Sequence, residues 1–237
     1  MIDLHTHILP GIDDGSKNVE ESIALLKMLE EQGVDKVVLT PHYYGRNCNV
    51  RQFLASREIA YRQLATAYKG PIRLFSGCEC NIATCANSDF SELIPLAING
   101  GKYILTELSF DRRWGEKLWN RITMLTDQGL RPVIAHAELY PEIQRHPQAA
   151  ERLIDCGCLI QVNCDSLLDK RLFRIVKRLI DNNQVHCIGT DTHNQEQRMP
   201  RYSSALKIMM QFEGNCLIRK VQSIMNNIID NDCSFDC

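Results

Sequence analysis

The chain has 237 residues, of which 44% are hydrophobic and 24% charged, and its formal net charge is −2. That length and apolar content suffice for one large α/β domain with a full core and argue against a disordered chain. The near-neutral charge, with no basic stripe, argues against nucleic acid as the main partner, and no apolar run of about 18 residues is available to insert into a membrane.

The first strand is Met1-Ile2-Asp3-Leu4, and it opens onto His5-Thr6-His7. A signal peptide would need a basic flank and an apolar run where Asp3, His5 and His7 stand, so a cytoplasmic location is expected. Asn18 followed by Glu21 reads as a capping box, and Val19, Ile23, Leu26 and Leu29 then recur at helical spacing until Gly33. The second strand, Lys36 to Thr40, leads to His42. A helix over Val50–Tyr68 precedes the third strand, Ile72 to Phe75, which leads to Glu79. A shorter helix over Phe90–Asn99 feeds the fourth strand, Tyr103 to Thr106, which leads to Glu107. Helix Trp114–Gln128 stops at Gly129 before the fifth strand, Pro132 to Ala135, and His136 follows. Pro147–Cys156 leads to the sixth strand, Leu159 to Val162, and Lys170–Asn182 leads to the seventh, Val185 to Thr190. Asp191 and His193 come next. Two further helices, Ser203–Phe212 and Cys216–Ile229, precede a polar tail from about residue 230.

Strands alternate with helices and no Ser/Gly linker divides them, so residues 1–237 read as a single domain. The short, strongly apolar strands fit a parallel sheet covered on both faces. The expected architecture is a single distorted (β/α)7 TIM-like barrel, with a doubly wound open sheet as the competitor. A barrel gathers all strand ends at one face, whereas an open sheet binds ligands near one switch point. Six loaded strand ends favour the barrel.

Those ends carry a metal-ligand set. His5 and His7 are two apart on an extended strand, so their imidazoles point the same way and can share one ion. Asp13-Asp14-Gly15 supplies one aspartate for the turn and one for metal. Glu79, Glu107 and Asp191 follow apolar residues, where a carboxylate needs a partner or an ion. His193 repeats the same-side spacing after Asp191. His146, in a polar loop, and His186, at the far end of its strand, read as non-ligands. Five histidines and four acids exceed what one ion needs and suit two or three divalent ions acting on a phosphate ester. Manganese, iron and zinc all accept such N/O donors. Arg198, five residues past His193, is the best phosphate cation, because a guanidinium matches phosphate geometry. Arg112 and Arg113 are weaker candidates. The eleven cysteines form no CxxC pair and read mostly as reduced, inert apolar side chains. Cys78 and Cys80 lie close to Glu79, and Cys233 and Cys237 lie in the polar tail.

The set His5-Thr6-His7, Asp13-Asp14-Gly15, Thr40-Pro41-His42, Gly77-Cys78-Glu79, Glu107-Leu108-Ser109-Phe110, Ile134-Ala135-His136 and Asp191-Thr192-His193-Asn194 resembles the polymerase and histidinol phosphatase (PHP) superfamily. Its order and spacing are most similar to the bacterial protein-tyrosine phosphatases of capsular and exopolysaccharide synthesis systems. The resemblance implies a trinuclear, often manganese-dependent centre held by His5, His7, Asp14, His42, Glu79, Glu107, His136, Asp191 and His193. It implies catalytic work at His42, Asp191, His193 and Arg198, on phosphotyrosine of a bacterial tyrosine kinase. One position departs. Where those phosphatases commonly carry arginine in a His-x-Glu-Arg-Tyr stretch, this chain reads His136-Ala137-Glu138-Leu139-Tyr140. Leu139 cannot bind phosphate, and Arg113 or Arg145 is the expected substitute. The competing functions are a histidinol-phosphate phosphatase and a non-catalytic, metal-bearing regulator of a kinase. The outer helices offer surfaces for a homo-oligomer.

Overall fold

A computed structural model describes residues 1–85, 90–111 and 113–231 of the chain. Arg112, Cys233 and Cys237 lie outside the described residues. The strands are β1 (Ile2–Thr6), β2 (Lys36–Leu39), β3 (His42–Tyr43), β4 (Arg73–Ser76), β5 (Glu79–Asn81), β6 (Tyr103–Glu107), β7 (Arg131–Ile134), β8 (Leu159–Asn163) and β9 (Cys187–Gly189). The helices are α1 (Val19–Glu31), α2 (Val50–Ala67), α3 (Glu116–Asp127), α4 (Pro141–Arg145), α5 (Gln148–Asp155), α6 (Cys164–Leu168), α7 (Phe173–Asp181), α8 (Tyr202–Glu213) and α9 (Asn215–Asp230).

All strand pairs are parallel, in the orders β1-β2-β4 and β3-β5-β6-β7-β8-β9. The two runs are joined. β2 continues into β3 across Thr40-Pro41, and β4 into β5 across Gly77-Cys78. Gly77 N–H donates to Leu39 O at 2.9 Å and Glu79 N–H to Pro41 O at 3.0 Å, so the ladder passes the interruptions. The chain is an α/β fold with a strongly curled parallel sheet. The curl brings the last strand back to the first: Asp191 N–H donates to His5 O at 2.8 Å, and His7 N–H to Thr192 O at 2.9 Å. An open doubly wound sheet would not make those bonds. β1, β6 and β8 are buried along their whole length, as expected for strands covered on both faces. Leu4, Leu39, Leu105, Ile134, Ile160 and Ile188 contribute to the core. α9 buries Val221, Met225, Ile228 and Ile229, and Gln222 accepts a hydrogen bond from Ile2 N–H at 2.9 Å. Among the described residues no helix is long and apolar enough to cross a membrane.

Two local expectations are corrected. Asn18 does cap α1, accepting from Glu21 N–H at 2.9 Å, but Glu21 accepts from Lys17 N–H rather than from Asn18, so the reciprocal box is absent. The helix expected over Phe90–Asn99 is instead two 3-10 turns, Phe90–Leu96 and Ile98–Gly100. Pro95 falls inside the first, where its missing N–H and its ring disfavour an α-helix. The short helices α4 and α6, and strands β3 and β5, were not expected from the periodicity; each has five residues or fewer.

Candidate metal centre

Every parallel strand delivers its C-terminal end to one face, and the side chains there meet. His5 and His7 leave β1 on the same side, with their Nε2 atoms 3.1 Å apart. Each Nε2 lies 3.3 Å from Glu79 Oε2 at the start of β5. Asp191 Oδ1, just past β9, lies 3.5 Å from His5 Nε2 and 3.4 Å from His7 Nε2. Donors sharing one ion with bonds of about 2.1 Å stand roughly 3.0–3.4 Å apart. His5, His7 and Glu79 therefore have the spacing of one ion's ligands, and Asp191 adjoins both imidazoles.

The ring orientations are fixed from behind. His5 Nδ1 lies 3.1 Å from Gln161 Oε1, an acceptor, so Nδ1 carries the proton and Nε2 turns its lone pair to the cluster. His7 Nδ1 lies 2.8 Å from Asp13 Oδ2, and His193 Nδ1 lies 2.9 Å from the Asp191 carbonyl, with the same consequence. His193 Nε2 is buried and makes no hydrogen bond. Metal-binding histidines are held in this manner, one nitrogen toward an oxygen and the other toward the ion.

Two further groups adjoin the first. Asp14 Oδ1 lies 3.4 Å from His42 Nε2 and 3.5 Å from His193 Nε2, and with His7 these could hold one ion. His42 Nδ1 lies 3.0 Å from Glu79 Oε2, and His42, Glu79 and Glu107 make another set. His136 Nε2 lies 2.8 Å from Glu79 Oε1. The structure thus brings together all nine side chains expected as ligands. It also separates the aspartate pair. Asp13 is buried behind His7 and accepts from Gly15 N–H and His42 N–H, both at 3.0 Å, while Asp14 is exposed and faces the histidines.

The electrostatics match a cation site. Burial opposes charge on His7, but Asp13, Asp191 and Glu79 hold its imidazolium form well above the usual range. Burial also opposes the Glu79 and Asp191 carboxylates, yet the charge of His5 and its neighbouring imidazoles holds both well below the usual range. Burial and the charge of His7 push His193 down to about 4, so it offers a neutral ring. Glu107 is raised by burial and by Glu79. Ionised carboxylates packed around neutral-capable imidazoles attract positive charge, and the groups that favour a proton on His7 equally favour a divalent ion.

Two cavities flank the cluster. One, of about 410 Å³, includes Asp13, Asp14, His42 and Tyr44 in its walls. The other, of about 550 Å³, includes Leu139, Asn163, Asp191, Arg198 and Arg201. The Arg198 guanidinium donates to Asp191 Oδ2 across 2.8 Å. Its loop is pinned by Asn194 Oδ1, which accepts from the N–H groups of Glu196, Gln197 and Arg198. Arg113 instead lines a separate cavity of about 200 Å³, beside Ser109, Trp114 and Lys117, with none of the nine expected ligands in its walls. Arg145 is exposed at the end of α4. His146 is exposed, and His186 accepts from Ile160 N–H through Nδ1, consistent with neither being a ligand. Cys78 and Cys80 are fully buried; burial raises the Cys78 thiol above its ordinary range, and Cys80 is raised by the Cys85 thiol beside it, with burial.

Residues 1–228 match the family described as capsular polysaccharide synthesis, CpsB/CapC. The chain belongs to the CpsB/CapC family. Its relatives include the tyrosine-protein phosphatase YwqE of Bacillus subtilis, 31% identical over 88% of this chain and 84% of that protein. The tyrosine-protein phosphatase CpsB of Streptococcus agalactiae serotype III is 28% identical over 96% of this chain and 99% of that protein. A solved structure of YwqE from Bacillus subtilis and CpsB from Streptococcus pneumoniae, described as unique metal-dependent tyrosine phosphatases, superposes with a TM-score of 0.79. It is 26% identical and covers 98% of this chain and 95% of that one.

In this CpsB/CapC member several site residues escaped the sequence reading. Gln161 Oε1 also accepts from His136 N–H at 2.8 Å, and Gln161 donates to Asn163 Oδ1 at 2.9 Å. Asn163 Nδ2 donates to Asp191 Oδ2 at 2.9 Å, and Asn81 Nδ2 to Glu107 Oε2 at 2.6 Å. Gln161 and Asn163 are two apart at the end of β8, the same spacing as His5 and His7, and that was the available signal. Two aromatic rings also flank the cluster. Tyr44 stacks on His42 at 5.3 Å between centroids, and Phe110, 49% exposed, stacks on His136 at 5.8 Å.

Proposed function

We propose that this chain is a metal-dependent phosphatase acting on phosphotyrosine, and that His5, His7, Asp14, His42, Glu79, Glu107, His136, Asp191 and His193 hold two or three divalent ions, with manganese foremost and iron or zinc as substitutes. The observation that carries this reading is the convergence of His5, His7 and Glu79 at ligand spacing, with Asp191 beside both imidazoles and each of the two histidines held by an oxygen behind it. Family membership supports the substrate class. When bound, such ions supply a water activated near neutral pH and stabilise the incoming and leaving oxygens. The protein's own residues do the rest. Glu79 belongs to two of the groups and would help hold an ion in either. Arg198 places a guanidinium on the open side of Asp191, where it can receive phosphoryl oxygens. A tyrosyl oxygen leaves with a pKa of about 10, so no strong general acid is required. Tyr44 and Phe110 offer aromatic faces beside the cluster for the leaving ring.

The same reading counts β2 with β3 and β4 with β5 as single strands, which makes a distorted (β/α)7 barrel of residues 1–237, one domain in all. The hydrogen bonds between β1 and the segment after β9 support it. The partner in this reading is a bacterial tyrosine kinase governing capsular or exopolysaccharide synthesis. A cytoplasmic location and a homo-oligomer built on the outer helices belong to the same proposal.

The test is phosphate release with manganese from a phosphotyrosine peptide and from histidinol phosphate in parallel, with a His5→Ala/His7→Ala control. Faster release from the peptide, lost in the control, is the expected result. Preference for histidinol phosphate would overturn the substrate. Release from neither, with metal bound, would overturn the catalytic reading in favour of a regulator.

A further inference from the structure

The cavity beside Asp191 adjoins the metal cluster, with Asp191 the expected ligand in its walls. Leu139 and Leu172 give it apolar wall, and Arg198 and Arg201 are the cations among its lining residues. Arg198 is already committed to Asp191 Oδ2 at 2.8 Å. Arg201 is not committed to the same degree. Its Nε stands 3.8 Å from Asp165 Oδ1, beyond hydrogen-bond distance, and its side chain is 46% exposed. Among the described residues that Asp165 oxygen makes no hydrogen bond. Asp165, Asp169 and Asp191 share the cavity with the two guanidiniums, but they differ in what else they hold. Asp191 faces the metal donors, and Asp169 Oδ1 is occupied by the N–H groups of Arg171 and Leu172. Arg201 also has a fixed base: it precedes α8 at Tyr202, and Ala205 N–H donates to its carbonyl at 3.1 Å. A long side chain on an anchored backbone, holding a loose ion pair in the wall of a polar cavity, is built to exchange that pair for a better anion.

We propose that Arg201 is the second guanidinium of the substrate-phosphate site, receiving with Arg198 the phosphoryl oxygens that face away from the metal donors. This inference rests on the phosphatase reading above. A phosphomonoester carries close to two negative charges at neutral pH; bound ions would meet part of that charge, and the oxygens turned away from them are left to Arg198, shared with Asp191, and to Arg201. Two planar forks from one loop, the second at the cap of α8, would also fix the orientation of the phosphoryl group. Arg113, with its separate cavity, cannot share this task without leaving it.

The experiment compares manganese-loaded wild type, Arg201→Ala and Arg201→Lys by calorimetric binding of inorganic phosphate and by kinetics on a phosphotyrosine peptide, with bound manganese and the far-ultraviolet spectrum measured on each. Loss of a charge-assisted contact should raise the phosphate Kd and the peptide KM by about 10- to 100-fold in Arg201→Ala, with manganese content unchanged. The loss should fall on KM rather than kcat, and Arg201→Lys should recover part of it, because charge remains while the fork is gone. Unchanged Kd and KM in a folded, metal-loaded Arg201→Ala would overturn the proposal, as would a fall in kcat at constant Kd. A wild type that binds inorganic phosphate but releases none from the peptide would overturn the phosphatase reading instead, and the phosphate Kd of the variants would still decide the role of Arg201.

Discussion

At the scale of single residues, the decisive feature is the pairing of His5, His7 and His193 with an oxygen behind each ring. Asp13 illustrates the division of labour in the Asp13-Asp14 pair. Burial opposes its charge, but the hydrogen bond and charge of His7 hold its carboxyl down at about 2, so it stays ionised at every working pH. Replacing it with a neutral isostere, Asp13→Asn, keeps an acceptor for His7 but removes the charge that raises its basicity. The manganese concentration needed for half-saturation should rise by about 10- to 100-fold, as for other outer partners of ligand histidines. A binding titration with an unchanged midpoint would show that Asp13 serves only the turn. The charged donors were legible in the sequence because a histidine or carboxylate at the end of an apolar strand has few inexpensive explanations. Gln161 and Asn163 were not, because neutral amides at a strand end are also ordinary caps and core hydrogen-bonders. Their role depends on which ring nitrogen they face, and only the three-dimensional arrangement gives that.

At the scale of elements, the close approach of β9 to β1 sets the position of His5. A Cβ at Gly189 would lie 2.5 Å from His5 Cβ and 3.0 Å from His5 N, so the strand tolerates no side chain there. Gly189→Ala should lower stability by about 1–3 kcal/mol, read from the urea midpoint, and weaken manganese binding together with it. A destabilised variant with unaltered metal affinity would separate the strand contact from the site. The neighbouring residues show the same tension. Asp191 and His136 adopt φ values of +53° and +35°, a left-handed region that non-glycine residues seldom occupy and that recurs at functional sites. Long amphipathic helices such as α2 and α3 were readable from their periodicity, within a residue or two at each end. The 3-10 turns around Pro95 and the five-residue helices were not. Segments that short carry too few repeats for a 3.6-residue period to show, and packing decides their conformation.

At the scale of the whole molecule, the curled sheet turns ligands scattered between residues 5 and 193 into one site. The alternation of strands and helices made the α/β class and the gathering of strand ends readable. The interruptions that split two strands into β2/β3 and β4/β5 were not, because Thr40-Pro41 and Gly77-Cys78 continue the strand-like pattern on either side and His42 and Glu79 stand just after them. Stability should also depend on pH through a group remote from the site. Burial, with the charges of Lys220 and Arg131, lowers His186 from 6.5 to about 4. Above pH 6.5 the ring is neutral in both folded and unfolded chains and contributes no pH dependence. As pH falls from 6.5 toward 4 the unfolded chain takes up a proton that the folded chain refuses, so stability drops. In chelator-treated protein, His186→Asn, which keeps an acceptor for Ile160 N–H, should lose less of its urea midpoint between pH 7 and pH 5 than wild type does; equal losses would assign the acid sensitivity elsewhere. The central claim is that the clustered histidines and carboxylates act through bound ions on phosphotyrosine. The most direct measurement is phosphate release from a phosphotyrosine peptide against bound manganese per chain, as the metal is stripped by chelator and restored. Release should fall with the bound metal and return with it. Release that persists undiminished after the metal is gone would contradict the account.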